Sequence, residues 1–444
     1  MGRRLWRSAA SHEKFLLISI LPTQKNMSDS LFRYAGLGNV KNTGLSVPLA
    51  AARLHHLSFT EKRLMLFCVA HLVGAPTRDL KLLLGRAQFL AAERCTALRS
   101  RLQELRVPKV RIESCPSAAL ELAMDEALHC ETEHEVTADA HLLHADLITA
   151  YLRYLEQTNS LADAPSCDLI KAQLPLLREI AAALEALLQT SGESYSLARI
   201  QKFFSAAGGL DGTGERSVEL PNRERSTSPF EINRKTGRQS SPEMVWDYLK
   251  PPMEEVTDHF VHMLGIRLSE INVAEGLAIV VYESQDKPWE FHHDLSRHLW
   301  DEIRHSMMGE AAIEARYGDP GAIPMREYER VYCMEAPALE QYATLGIEIE
   351  GGQMRYPVGK RGEWEFCRDA VKSPLMTTFQ DFDWADEVLH VNLAKRQLSD
   401  WFPGGAKELS SFAQQGRLKR TEVKERHAPV KLAVPPPASA IREC

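Results

Sequence analysis

The stretch "DLSRHLWDEIRHSMMGE" places Asp301, Glu302 and His305 within five residues of one another. A Glu and a His three positions apart on a helix lie about 60° apart around its axis, so both side chains can reach one point. Two helices of this kind facing inward supply two carboxylates and two imidazoles. Two further helices giving one Glu each complete a set that holds two divalent metals in a bundle core. Oxygen-rich ligands with imidazole suit iron or manganese, and an open coordination position admits dioxygen.

One Glu-x-x-His match carries little weight, because about one or two arise by chance in a chain of this composition. Five are present: Glu126/His129, Glu131/His134, Glu290/His293, Glu302/His305 and Glu387/His390. Glu290 precedes Glu302 by about 18 Å along one helix and is rotated by roughly 120°, so those two pairs cannot share a site. Glu126/His129 and Glu131/His134 have no facing half, since the neighbouring "FLAAERCTAL" offers Glu93 but no histidine. Both read as solvated polar residues. Glu302/His305 does have a facing half, because "DFDWADEVLHVNLAKRQL" repeats the spacing at Asp386, Glu387 and His390.

The candidate ligands are therefore Glu275 from the first helix of the set, Glu302 and His305 from the second, Glu348 from the third, and Glu387 and His390 from the fourth. Glu340 and Glu350 are rivals to Glu348. The competing reading makes both histidine pairs surface ion pairs or capped core histidines. It must then explain two DExxH motifs on the right helices of one four-helix set. Tyr282 falls seven residues after Glu275, on nearly the same face, where it either packs in the core or serves a ligand or electron transfer. Arg304 is placed to pair with a carboxylate beside the site, and Trp300 and Trp384 read as core packing.

The elements that must position these residues are helices. Amphipathic spacing runs from Ser58 to about Gln189 in four segments with short joins, and alternating strand patterns are nearly absent. A second set of four begins near Pro242 and ends at Phe402-Pro403-Gly404-Gly405. The expectation is an all-α chain of two successive four-helix bundle regions. Residues 1–50 form a flexible leader, with Met27 a plausible start. Residues 51–192 form an N-terminal bundle without an intact metal site, and 193–241 a linker rich in Gly, Ser, Pro and charge. Residues 242–405 form the dimetal bundle, and 406–444 a disordered, basic and proline-rich tail.

Bulk properties limit the function classes. The chain has 444 residues, 25% charged and 44% hydrophobic, which suits a globular protein of two or three domains. A net charge of -7 gives no general reason to expect nucleic acid or an anionic membrane as partner. Eight cysteines stand singly, without a CxxC pair, as expected of reduced thiols in a cytoplasmic protein. No run of eighteen uncharged apolar residues predicts a membrane span. Basic residues do precede a short apolar run at Phe15 to Leu21, but Glu13 and Lys14 abut it and no clear cleavage site follows.

The segments "AEGLAIVVYE", "LWDEIRHSMMGE" and "DWADEVLHVNLAKRQL" resemble the diiron-carboxylate branch of the ferritin-like superfamily. "DEIRH" is similar to the DExRH signature of bacterial multicomponent monooxygenases. The order of the motifs resembles that of an uncharacterised bacterial family of ferritin-like domain proteins, over roughly 242 to 402. In that family the third helix carries a Glu just before a Gly, which matches Glu348 or Glu350 in "GIEIEGGQ". The segment between Gly351 and Ser373 is longer here than in the family. The resemblance also implies that Asp301 holds His390 and Asp386 holds His305. In the first half, Arg94-Cys95 stands where a similar segment carries a histidine, so a metal site there reads as lost.

What the resemblance implies is a non-haem diiron oxidase or oxygenase. It would carry two Fe ions, with Mn/Fe as the other pairing, and act with O2, a small organic substrate and an external electron donor, in a chain compatible with a homodimer. The alternatives are iron oxidation without an organic substrate and a helical interaction scaffold with a structural metal site. A tRNA hydroxylase of the same superfamily is more distant, since only the tail is basic.

Overall fold

The computed structural model describes residues 33–191, 198–225, 227–235 and 243–438, and most of the expected leader lies outside them. These residues are mostly helical. The first half contributes α1 (Val47–Leu72), α2 (Arg78–Glu104), α3 (Ala118–Leu128), α4 (Glu133–Gln157) and α5 (Ala164–Ser191). The sequence pattern from Ser117 to Gln157 reads as one segment, but it breaks at His129–Thr132. There the Thr132 hydroxyl accepts a hydrogen bond from the Glu135 amide, and Glu135 accepts one from the Glu131 amide, which restarts the helix.

The second half contributes α7 (Val256–Leu268), α8 (Ile271–Glu283), α9 (Trp289–Tyr317), α10 (Tyr328–Glu335), α11 (Ala338–Ala343), α12 (Lys360–Phe366) and α13 (Pro374–Leu398). Pro337 separates α10 from α11 and caps the latter's start. The chain after α11 widens into a π-helix, Thr344–Ile349, before one further turn, Glu350–Gln353. A two-stranded parallel pair, β1 (Met244–Val245) and β2 (Met325–Arg326), ties the entrance of this half to the loop after α9.

Helix α9 is the centre of the second half. It packs on α7, α8 and α13, and its far side meets α2 of the first half. The approach to α2 is close, since a methyl group at Gly85 would overlap Ile303. Helix α8 also lies against α1, and buried apolar residues of both halves form one continuous cluster. A buried ion pair crosses the join, with Lys81 Nζ 2.7 Å from Glu275 Oε1.

Two segments expected to lack structure have it. Within the expected linker, α6 (Ala198–Ala206) buries Ile200, Phe203 and Phe204 and packs on α3. Three apolar side chains on one face outweigh the polar composition around them. In the expected tail, α14 (Gly405–Lys424) packs on α10, α11 and the π-helix. Its basic residues find acidic partners there: Arg417 pairs with Glu348, Lys419 with Glu340, and Arg420 with Glu329. Leu409, Ala413 and Val423 are buried on the same helix. No helix among the described residues is long and apolar enough to cross a membrane, and the seven described cysteines are free.

Candidate metal centre

Helix α9 presents His298, Glu302 and His305 at positions i, i+4 and i+7, so all three share one face. Helix α13 repeats the pattern with Asp383, Glu387 and His390. All six are buried. Glu270 joins them from the turn between α7 and α8, and Glu350 from the end of the π-helix. The structure sorts these eight residues into two groups, each able to hold a metal ion. One is His298, Glu302, Glu350 and His390; the other is Glu270, His305, Asp383 and Glu387. Within each group one ligand atom per residue lies within 4.8 Å of the others.

Glu302 stands between the groups. Its Oε1 is 3.7 Å from His298 Nε2, 3.5 Å from His390 Nδ1 and 3.8 Å from His305 Nδ1. A carboxylate in this position can serve either group or bridge both. His298 Nε2 is 2.8 Å from Glu350 Oε1, and its ring stacks on His390 with centroids 3.7 Å apart.

An outer layer fixes the two imidazoles. Nε2 of His390 is 3.3 Å from Asp301 Oδ2, and Nε2 of His305 is 3.3 Å from Asp386 Oδ2. Arg304 and Arg297 clamp both aspartates. Arg304 donates to Asp301 at 2.6 Å and to Asp386 at 3.0 Å, and Arg297 donates to them at 2.7 and 3.3 Å. With Nε2 held outward, Nδ1 of each ring turns to the interior, where neither atom makes a hydrogen bond. Oε2 of Glu350 and Oε2 of Glu387 also make none. Buried polar atoms normally find partners. These four inward-facing atoms, two of them on the anchored imidazoles, are the donor set that a divalent cation satisfies once it displaces the imidazole proton.

Proton affinities reflect the crowding. Burial opposes charge on His298, but Glu350 and Glu302 outweigh it and raise the imidazole to about 10. Burial is likewise overcome at His305, raised to about 9 by Asp383, Asp386, Glu302 and Glu270. Burial lifts Glu270 to about 8, with Glu302 adding to the effect against Arg267 and Lys360. Glu350 is also raised, first by burial. Glu387 moves the other way. Burial would raise it, but the Lys360 ammonium holds it below the usual carboxylate range. Lys360 Nζ lies 2.7 Å from Glu387 Oε1 and 3.0 Å from Asp383 Oδ2.

Four of the six ligands expected from the sequence meet here: Glu302, His305, Glu387 and His390. Glu275 does not lie with them. It sits one turn into α8, facing the first half and Lys81, while Glu270 ahead of the helix faces α9. Glu348 also lies outside, paired with Arg417 at 3.2 Å. The π-helix accounts for this. Its wider turn shifts the register so that Glu350 points inward. A methyl at Gly346 would overlap Ala394, so only glycine lets this segment lie directly on α13. Glu340 pairs with Lys419 on α14.

Tyr282 is remote from both groups, with its hydroxyl 3.3 Å from the Phe230 carbonyl. Trp300 stacks with Phe89, and Trp384 lies near Trp364. His293 pairs with Glu93 at 2.6 Å, and His129 contacts backbone carbonyls of Asp125 and Ser228. His298 and Asp383 were not singled out by the DExxH spacing. Their signal is the residue four before each ligand Glu, which extends both motifs into an i, i+4, i+7 triplet.

Comparisons with protein-family models, with curated proteins and with solved structures found no match for this chain.

Proposed function

We propose that the protein is a dimetal-carboxylate oxidoreductase that binds two iron ions, or manganese and iron, and uses O2 to oxidise a small organic substrate. In this reading α7–α8, α9, the π-containing third helix and α13 form a ferritin-like four-helix bundle. Glu270, Glu302, His305, Glu350, Glu387 and His390 are then the four carboxylates and two imidazoles of a dimetal site. The observation that carries the reading is Glu302, set between two imidazoles whose Nδ1 atoms face inward while Asp301 and Asp386 hold the other side.

Bound redox metals would supply the one-electron steps that O2 reduction requires, with electrons drawn from an external donor. The chain's own groups do the rest. Asp301 and Asp386 fix the tautomer and ring angle of His390 and His305. Arg297 and Arg304 pair with both aspartates and hold them in place. The packing of α9 and α13 buries the side chains that these helices give to both groups. Beside the metals, His298 would be a proton-holding group or ligand and Asp383 an extra ligand.

An organic substrate is favoured over iron oxidation alone by a cavity of about 470 Å³ whose floor includes Glu302, Glu350 and Glu387, a size within the range of small-molecule sites. The test is anaerobic Fe(II) loading followed by oxygen-electrode measurement with and without a reductant such as ascorbate. The proposal expects O2 uptake that exceeds the iron added when reductant is present. Uptake that stops at the iron added, or none at all, contradicts it.

A further inference from the structure

The cavity over the candidate metal centre has a charge pattern that the metal reading does not use. Buried Glu302, Glu350 and Glu387 lie at its floor. Val273, Leu345 and Ile349 give it an apolar wall. Lys250 and Arg355 also line it, and both are exposed, which places them at its mouth. Neither has an ion-pair partner among the described residues.

Deeper in, Arg326 and Arg420 share one carboxylate, Glu329, so this wall carries more cations than it neutralises. Asp247 offsets part of that excess, lying 3.7 Å from Arg326, but it also serves Lys424 at 3.2 Å. His262 lines the same wall. Burial, with Arg326, His259, Lys250 and Lys424 adding to it, pushes this imidazole down to about 3. Cations that suppress the charge on a neighbouring imidazole mark a region of positive potential.

We infer that this cavity binds an organic anion, a carboxylate or phosphate monoester with a short apolar chain, whose charged end is held by Lys250 and Arg355 and whose chain extends toward Glu302 and Glu350. The inference rests on the proposed function for what then happens to the substrate, but the binding itself does not need the metals. An apolar wall between a cationic mouth and a buried acidic floor orients such a molecule in one direction. A cation or a neutral amide of equal length gains the wall but not the mouth.

Calorimetric titration of the full chain, metal-free and metal-loaded, tests this with octanoate, octyl phosphate, octanamide and octylamine. Either anion binding at least about tenfold more tightly than the amide and the amine is the expected result. The double variant K250E/R355E should lose about tenfold or more of that anion affinity at unchanged metal content. Preference for one anion over the other identifies which charged group the mouth fits. Equal affinity for octanamide, no binding of any probe, or an undiminished octanoate affinity in the double variant overturns the inference. If metal-free protein binds octanoate through Lys250 and Arg355 yet takes up no metal, the anion site stands and the oxidoreductase reading falls. Metal uptake without charge preference gives the reverse.

Discussion

Both halves of the chain bury charge among helices, and they balance it differently. In the first half Glu61 and Arg94 are fully buried, and the guanidinium donates twice to the carboxylate, at 2.7 and 2.9 Å. Tyr151 adds a third hydrogen bond to Glu61 at 2.7 Å. One fixed cation serves one carboxylate. In the second half, five carboxylates stand with three imidazoles in the two groups. The fixed cations touching them, Arg267 and Lys360, both lie on the side of Asp383. The group around Glu302 and Glu350 has none among the described residues. A buried carboxylate is therefore not in itself a sign of a metal. An excess of buried carboxylates over fixed cations marks where protonated imidazoles, or a bound cation in their place, must supply the balance, because each uncompensated charge is costly to bury.

This contrast can be broken at either end. Arg94→Met should strand Glu61 and cost about 3–5 kcal/mol, the usual effect of removing one partner of a buried pair. Urea unfolding should register that loss while metal content stays the same. A variant as stable as the parent would show that the first half does not depend on its ion pair.

Within the second half, Asp301→Ala and Asp386→Ala should each lower metal affinity by about 10–100-fold without unfolding the chain, since they orient ligands and do not supply them. Competition with a chromophoric chelator reads this directly. Unchanged affinity in both variants would remove the aspartates from the account.

Lys360→Met probes the intermediate case, in which a fixed cation sits beside a metal group. Removing the ammonium leaves Asp383 and Glu387 more negative, so metal affinity at that group should rise by roughly tenfold. The metal-free variant should be less stable than the parent. A fall in metal affinity would mean that Lys360 positions the ligands and does not compete with the ion.

The smallest expected effect is on pH dependence. His298 and His305 are raised to about 10 and about 9, above their ordinary value of 6.5, so they contribute stability to the metal-free chain that is complete below pH 6.5. That contribution is lost as pH rises through 9 to 10. Both imidazoles carry a proton at neutral pH, so metal uptake should release protons and tighten as pH rises. Thermal unfolding of metal-free and metal-loaded protein at pH 7 and pH 10 should diverge at the higher pH. Parallel behaviour would contradict the assignment of these imidazoles to the centre.

Much of this was legible in the sequence, and the rest was hidden for definable reasons. Helical periodicity located α1, α2, α5, α9 and α13, and the paired spacing located Glu302, His305, Glu387 and His390. The aspartates ahead of each Glu were legible through family resemblance and the chemistry of a ligating imidazole. Glu350 was legible only as a rival to Glu348, because ideal 3.6-residue geometry does not anticipate a π-turn. Glu270 was obscured because it precedes its helix, where periodicity has no force. The helix Gly405–Lys424 was obscured because its stability comes from partners some eighty residues away in sequence, such as Glu329 and Glu340.

The most direct test is metal stoichiometry on the full chain. Anaerobic loading with Fe(II), removal of free metal and elemental analysis should give about two ions per chain. Glu302→Ala should lose most of that metal, while His129→Ala and His293→Ala should keep all of it. No metal in the parent protein, or equal metal in Glu302→Ala and the parent, would contradict the account at its centre.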